Sequence, residues 1–252
     1  MPYTIDQIIQ KDAFRHPVDF QRGVVLLVDK PIGWTSFDVV NKIRFKIKHG
    51  LGIKKIKVGH AGTLDPNASG LLIICTGKLT KEIDTLQAQE KIYSGTIHIG
   101  ATTPTYDIES EIDCTFPTEH ITREAMDVAK VALTGPLLQI PPIYSAIKID
   151  GQKSYDLARR GKDVEMKARP VTIYSFDITS VKLPEIDFLV KCSKGTYIRS
   201  LAYDFGKALQ SGAFLSSLRR EAIGDFSVKD AFSMDEMVLF IEKATSSAIK
   251  TE

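Results

Sequence analysis

The sequence predicts an α+β protein organised on a mixed β-sheet. Strand-like stretches outnumber helix-like ones, they occur both as continuous apolar runs and as alternating ones, and no regular βαβ alternation links them. With 252 residues, 43% of them hydrophobic and 25% charged, the chain can bury a substantial core and has the composition of a globular protein, not of a disordered or fibrous one.

Residues 1–22 read as an irregular lead-in. Val24 to Val28 is a β-branched and leucine run that suits a buried strand, and Lys30-Pro31-Ile32-Gly33 ends it. Thr35 or Ser36 can then cap a helix in which Phe37, Val40, Ile43 and Ile47 recur three or four apart, leaving Lys42, Arg44, Lys46 and Lys48 mostly on the other side. Gly70 to Cys75 is a second buried-strand run. Lys91–Ile99, Val171–Ile178 and Ile186–Cys192 alternate as half-buried strands do. Ile198, Leu201, Ala202, Phe205 and Leu209 repeat at helical spacing with Gly212 as a stop, and Ser233 to Ile241 has room for one more helix. No repeat, low-complexity segment or linker interrupts the chain, so a main domain over 23–227 with a short helical tail at 228–252 is expected.

The net charge of +2 hides an uneven distribution. Val39 to Leu64 holds seven Lys or Arg and no acid, and Lys191 to Arg220 holds six basic residues against Asp204 alone. Thr103 to Asp127 reverses the sign, with seven acids and only Arg123. Charge runs most often mark solvated helix faces; an asymmetry of this kind also suits a polyanion-binding face with an acidic region kept apart. Cys75, Cys114 and Cys192 are odd in number and widely spaced, which points to neither a disulfide framework nor a zinc site. Asp6, Lys11, Asp12 and Arg15 leave no signal-peptide core, and no apolar run approaches membrane-spanning length, so a reducing cytoplasm is expected.

The stretch Gly59-His60-Ala61-Gly62-Thr63-Leu64-Asp65-Pro66-Asn67-Ala68-Ser69-Gly70 is rich in small residues, which lets backbone approach a ligand closely while one carboxylate is held. An isolated Asp-Pro usually marks only a turn. In this setting the string resembles the catalytic signature of the TruB pseudouridine synthases, in which the Asp before Pro is catalytic. Five further blocks match that family in order. Leu27 to Ser36 is similar to its N-terminal motif, and Lys91-Ile92-Tyr93 to its second motif, which carries an active-site tyrosine. Gln139 to Lys148, with Gly151 and Tyr155 to Arg159, resembles the stretch shared by this branch. Cys192 to Leu201 matches the Tyr and Arg motif, and Leu218-Arg219-Arg220 its closing block. One loop departs: the family's Thr-Asp-Thr-x-Asp-x-x-Gly reads Thr103-Pro104-Thr105-Tyr106-Asp107-Ile108-Glu109-Ser110, which loses one acid and the closing Gly. Family members commonly carry a C-terminal PUA-like extension, for which the residues after Gly224 leave no room, so a short form is expected.

The resemblance implies a pseudouridine synthase fold, a mixed and largely antiparallel sheet flanked by helices with a central RNA-binding cleft. It also implies that uridine 55 in the T-loop of tRNA is flipped out, cleaved at N1–C1′ and rejoined through C5. Nothing is oxidised or added, so no cofactor or metal is implied, and the chain carries no dinucleotide fingerprint, Walker A loop or metal-ligand cluster. Asp65 would attack C1′, stabilise positive charge there or remove a ribose proton on a glycal path; all three need an ionised carboxylate. Arg199 is its natural partner, since a guanidinium nearby favours the charged form and fixes its direction. Tyr93 is the candidate stacking platform for the flipped base and Tyr197 a hydrogen-bonding neighbour, either able to help move the C5 proton. His60 is expected to position the RNA loop, Lys42, Arg44, Lys46 and Lys48 to contact phosphates, and Ile143 and Leu218 to line the uracil pocket. A surface ion pair for Arg199, core packing for the tyrosines and aliphatics, and a structural histidine are the ordinary alternatives. The partner expected is the tRNA T-arm, with no membrane and no obligate protein. A guide-RNA-dependent pseudouridine synthase and a non-catalytic RNA-folding helper are the rival functions.

Overall fold

The computed structural model describes residues 3–4, 7–11, 18–145, 148–149, 152–155 and 165–249. Ala146, Ile147, Gly151 and Asp156 to Arg159, which belong to one of the matched blocks, lie outside them. The chain divides into two compact units, Met1–Lys91 with Arg219–Glu252, and Ile92–Leu218.

In the first unit the strands run in the order Ile8–Ile9, Val25–Lys30, Ala68–Thr76 and the end of Ala213–Ile223; Val58–His60 also pairs with Ala68–Thr76, and Phe226–Ser227 with Ala213–Ile223. Val25 to Lys30 lies antiparallel to Gly70 to Cys75, whereas Ile8–Ile9 is parallel to Val25–Leu26. The continuous apolar runs have a simple cause: both faces of this sheet are covered. Leu26, Val28, Leu72 and Ile74 pack on one side against Val40, Ile43 and Ile47 of the helix Ser36–Gly50 and Met237, Phe240 and Ile241 of the helix Met234–Ile249. Val25, Leu27, Leu71, Ile73 and Cys75 pack on the other against Leu79, Leu86, Ile223 and Phe226. The two helices meet closely at Gly50, where a Cβ would lie 2.3 Å from Thr245 Oγ1.

Two expectations change here. The lead-in is not wholly irregular, because Ile8–Ile9 extends the sheet and Ile9 and Phe20 are buried. Phe37 is 62% exposed, and Val39 takes its place in the core. Thr35 is the N-cap, in a reciprocal capping box with Asp38, so Ser36 becomes the first helical residue. That start puts Ser36, Val40, Ile43 and Ile47 on the sheet-facing stripe and rotates Phe37 off it.

In the second unit the order is the start of Ala213–Ile223, then Lys91–Ile99, Glu185–Cys192, Arg169–Lys182 and Gly135–Gln139. The last two pairings are antiparallel. The helix Ile198–Ala208 buries the expected Ile198, Leu201, Ala202 and Phe205, and Phe205 meets Phe176 at 5.4 Å between ring centroids. The helix Arg123–Ala132, capped by Thr122, and the strands Gly135–Gln139 and Ala213–Ile223 were not foreseen. Ala213–Ile223 lacks alternation because its polar side chains have partners: Ser216 donates to Glu185, Arg219 pairs with Asp29, and Arg220 donates to Leu71 O.

Candidate active site

Asp65 sits half-buried in the loop that joins Val58–His60 to Ala68–Thr76. That loop is held by two side chains and one backbone N–H from elsewhere in the first unit. Ser36, buried at the head of its helix, accepts the Leu64 N–H at 2.9 Å and donates to Leu64 O at 3.1 Å, so the residue before Asp65 is gripped at both backbone groups. The Gly33 N–H donates to Pro66 O at 2.8 Å, gripping the residue after it. Arg220, 1% exposed, donates from Nε to Leu71 O at 2.7 Å, from Nη2 to Gly62 O at 3.0 Å and from Nη1 to Thr63 O at 3.4 Å. Gly70 permits this, since a Cβ there would lie 2.3 Å from the Arg220 carbonyl oxygen.

The Leu27-to-Ser36 block is therefore a scaffold for Asp65. Asp29 pairs in a fork with Arg219, at 3.1 and 2.7 Å. Lys30 is fully buried, with Nζ donating to Pro31 O at 2.9 Å and Trp34 O at 2.6 Å. Desolvation drives its amine down to about 8, with the Asp65 carboxylate pulling the other way. His60 ends its strand with Nδ1 buried and no hydrogen-bond partner among the described residues. Burial, then the Arg220 charge, push its ring below the ordinary imidazole range, so it stays neutral at pH 7. Ser36, Lys30 and Arg220 all lie in the matched blocks, but the sequence gives none of them a role beside Asp65, because each lies far along the chain from it or reads as a generic polar residue.

The second unit gathers Tyr197, Arg199 and Ile143. Tyr197 is the N-cap residue of Ile198–Ala208, and its backbone N–H and C=O are both bound by the buried Gln139 side chain, at 2.8 and 3.1 Å. Ser200 donates to Ile140 O at 2.7 Å, and Arg199 Nη2 to Tyr144 O at 3.0 Å. Four side chain to backbone bonds thus lay the Gln139-to-Tyr144 segment along the helix start, with Ile143 left 40% exposed. Arg199 is buried; its Nη1 also donates to Thr105 O at 3.3 Å and lies 3.5 Å from Asp107 Oδ2. Tyr93, 8% exposed, and the half-buried Leu218 stand on the neighbouring strands Lys91–Ile99 and Ala213–Ile223.

Of the helical basic residues, Lys42 is exposed and Lys48 half-buried, Arg44 donates to Asn41 Oδ1 and Val58 O, and Lys46 pairs with Glu242 at 2.6 Å. A second basic surface was missed. Lys55, Lys57, Lys78 and Lys81, all exposed, line a pocket of about 320 Å³ with Gln21, Gly77 and Thr80. Only tertiary structure reveals it, because the two lysine pairs lie over twenty residues apart.

These strands and helices make a pseudouridine synthase fold. A chain in the crystal structure of a Cbf5-Nop10-Gar1 complex superposes with a TM-score of 0.66 and 26% identity over 90% of this chain and 60% of its own length. A chain of an H/ACA RNP bound to a substrate RNA containing 2′-deoxyuridine gives 0.64 and 24% over 91% and 56%. This chain thus spans about six-tenths of those structural relatives. Residues 48–198 match the model for the TruB family pseudouridylate synthase N-terminal domain, and the chain belongs to that family. The tRNA pseudouridine synthase B of Flavobacterium johnsoniae is 56% identical over 219 residues, covering 86% of this chain and 96% of the relative; that of Chlorobaculum tepidum is 45% identical over 236, covering 93% and 98%.

Proposed function

We propose that this protein is a stand-alone cytoplasmic enzyme that converts uridine 55 in the T-loop of tRNA to pseudouridine. The observation that carries the reading is the Asp65 loop, held at Gly62, Thr63, Leu64 and Pro66 by Arg220, Ser36 and Gly33, which fixes the backbone on both sides of its one carboxylate. Relatives 45–56% identical and matched over almost their whole length carry the name tRNA pseudouridine synthase B, which favours this reading over guide-RNA dependence.

In this reading the N1–C1′ bond breaks, the uracil turns, the C5–C1′ bond forms, and the C5 proton leaves as N1 gains one, so the atoms balance without an external reactant. Asp65 supplies the ionised carboxylate at the ribose, and Arg199 is the catalytic guanidinium of the second unit, its position fixed by Thr105, Asp107 and Tyr144. Tyr93 is too buried to meet a base that remains stacked in RNA and suits one that has been flipped out. Tyr197 is its polar neighbour in the C5 proton step, and Ile143 and Leu218 line the uracil pocket. A neutral His60 stacks against the RNA loop without desolvating a charge. Lys42 and Lys48, with the Lys55, Lys57, Lys78 and Lys81 surface, contact phosphates. Catalysis belongs to 23–227; in the tail, the helix Met234–Ile249 supports the Ser36–Gly50 helix from behind.

The test is mass spectrometry after cyanoethylation of a bare tRNA transcript incubated with the protein alone. Pseudouridine at position 55, lost in Asp65→Asn with RNA binding kept, is expected. No product from the wild type, or Asp65→Asn within tenfold of it, overturns the reading.

A further inference from the structure

The turn at 103–110 lacks the first acid and closing glycine of the family pattern, yet it holds Arg199 from two sides, through Thr105 O and the Asp107 carboxylate. Its internal bonds are dense. Asp107 Oδ1 accepts from Thr105 Oγ1 at 2.6 Å and from the Glu109 N–H at 2.9 Å, and Thr103 Oγ1 donates to Asp107 O at 2.7 Å. Ser110, standing where the pattern has glycine, accepts the Thr105 N–H at 3.2 Å and lies 2.8 Å from Thr105 Oγ1. Between the two groups that face Arg199 is Tyr106, at φ +62°. A bulky residue in this left-handed region is strained and persists only where its surroundings impose it. Three contacts do so here. Its N–H donates to Thr103 O at 3.1 Å, its C=O accepts the Leu215 N–H at 2.9 Å, and its ring stacks on Tyr203, with centroids 4.1 Å apart and planes 16° from parallel. Tyr203 lies four residues after Arg199 on the same helix and therefore on the same face. Lys207 places Nζ 5.7 Å from the Tyr203 ring centroid and adds a cation–π contact to the pair.

We propose that Tyr106 and Tyr203 are a positioning pair for the reaction: their stack pins the 103–110 turn to the helix that carries Arg199 and so sets the direction of the guanidinium through Thr105 and Asp107. Neither ring touches a reacting atom. The inference rests on the reading of Arg199 as part of the catalytic machinery, and the experiment separates the two.

Steady-state kinetics on tRNA, tRNA affinity and melting temperature are measured for Tyr203→Phe, Tyr203→Leu, Tyr203→Ala, Tyr106→Gly and Arg199→Lys. Tyr203→Phe keeps kcat within about twofold, because the flat ring survives. Tyr203→Ala lowers kcat about ten- to a hundredfold with KM and affinity within about threefold. Tyr203→Leu, which fills much of the volume without a stacking face, behaves like Ala and decides the matter if the Ala variant does not fold. Tyr106→Gly relieves the backbone strain while deleting the ring, so it loses kcat as well. Wild-type kcat in Tyr106→Gly, or a Tyr203→Leu that lowers only the melting temperature, overturns the proposal. Wild-type activity in Arg199→Lys instead overturns the reading beneath it. In the Arg199→Lys background Tyr203→Leu costs little more, since both act through one guanidinium; full additivity refutes the coupling.

Discussion

Arg220→Lys tests the claim that the Asp65 loop is held from behind. The guanidinium serves three carbonyls, Leu71 and Gly62 at 2.7 and 3.0 Å and Thr63 at 3.4 Å, in a site 1% exposed. An ammonium on a shorter fork can keep the charge and serve one of the two close carbonyls. The other loses a charge-assisted bond worth about 1.5–3 kcal/mol, and the long contact adds a few tenths. A destabilisation of about 2–3 kcal/mol follows, or about 5–10 °C in melting temperature for a chain of this size. Against a total stability of about 5–15 kcal/mol the variant stays folded at 25 °C, so a change in turnover there reports position and not unfolding. Gly62 and Thr63 lie in the turn just ahead of Leu64 and Asp65, and a fall in kcat of about ten- to a hundredfold is expected, which is about 1.4–2.7 kcal/mol in the barrier. Urea unfolding with an unchanged m-value, thermal melting and single-turnover pseudouridine formation supply the readouts. A melting temperature within about 2 °C and kcat within about twofold of wild type would refute the reasoning.

The remaining expectations concern charge and substrate size. Replacing Lys55, Lys57, Lys78 and Lys81 by Gln should flatten the plot of log affinity against log salt by up to about 3, at roughly 0.7–0.9 per phosphate contact released; an unchanged slope would mean that this surface is merely solvated. Lys30 titrates at about 8 in the folded protein against 10.5 for the free side chain, so the unfolded state holds more protons between those values and stability relative to Lys30→Met should rise over that window. Urea midpoints of the two proteins at pH 7, 8.5 and 9.5 measure this, and a constant difference would show that the amine is hydrated. An isolated T-arm stem-loop should be modified with kcat/KM within about tenfold of full-length tRNA, a difference of about 1.4 kcal/mol, because the recognisable machinery needs only a loop from which one uridine can be flipped. A preference of about a hundredfold or more for full-length tRNA would show that distant parts of the substrate are read.

Local order in the chain determined a good deal by itself. The runs at Val25–Lys30 and Ala68–Thr76 are legible as buried strands because both their faces are covered, and Lys91–Ile99 and Ile198–Ala208 are legible because each follows the period of its element. The Asp65 loop is legible because its chemistry depends on small residues close together in sequence. Tertiary structure decided what holds that carboxylate. Ser36, Lys30 and Arg220 act through bonds that span up to 158 residues, and nothing in a local period distinguishes a buried arginine serving three carbonyls from one on a surface. The same holds for the two lysine pairs that meet around one pocket, and for Phe37, which lies outside the stripe that the helix Ser36–Gly50 buries. Periodicity reports which side of an element is dry; which distant side chain satisfies a buried carbonyl is set by the register and approach of strands that meet only once the chain has folded.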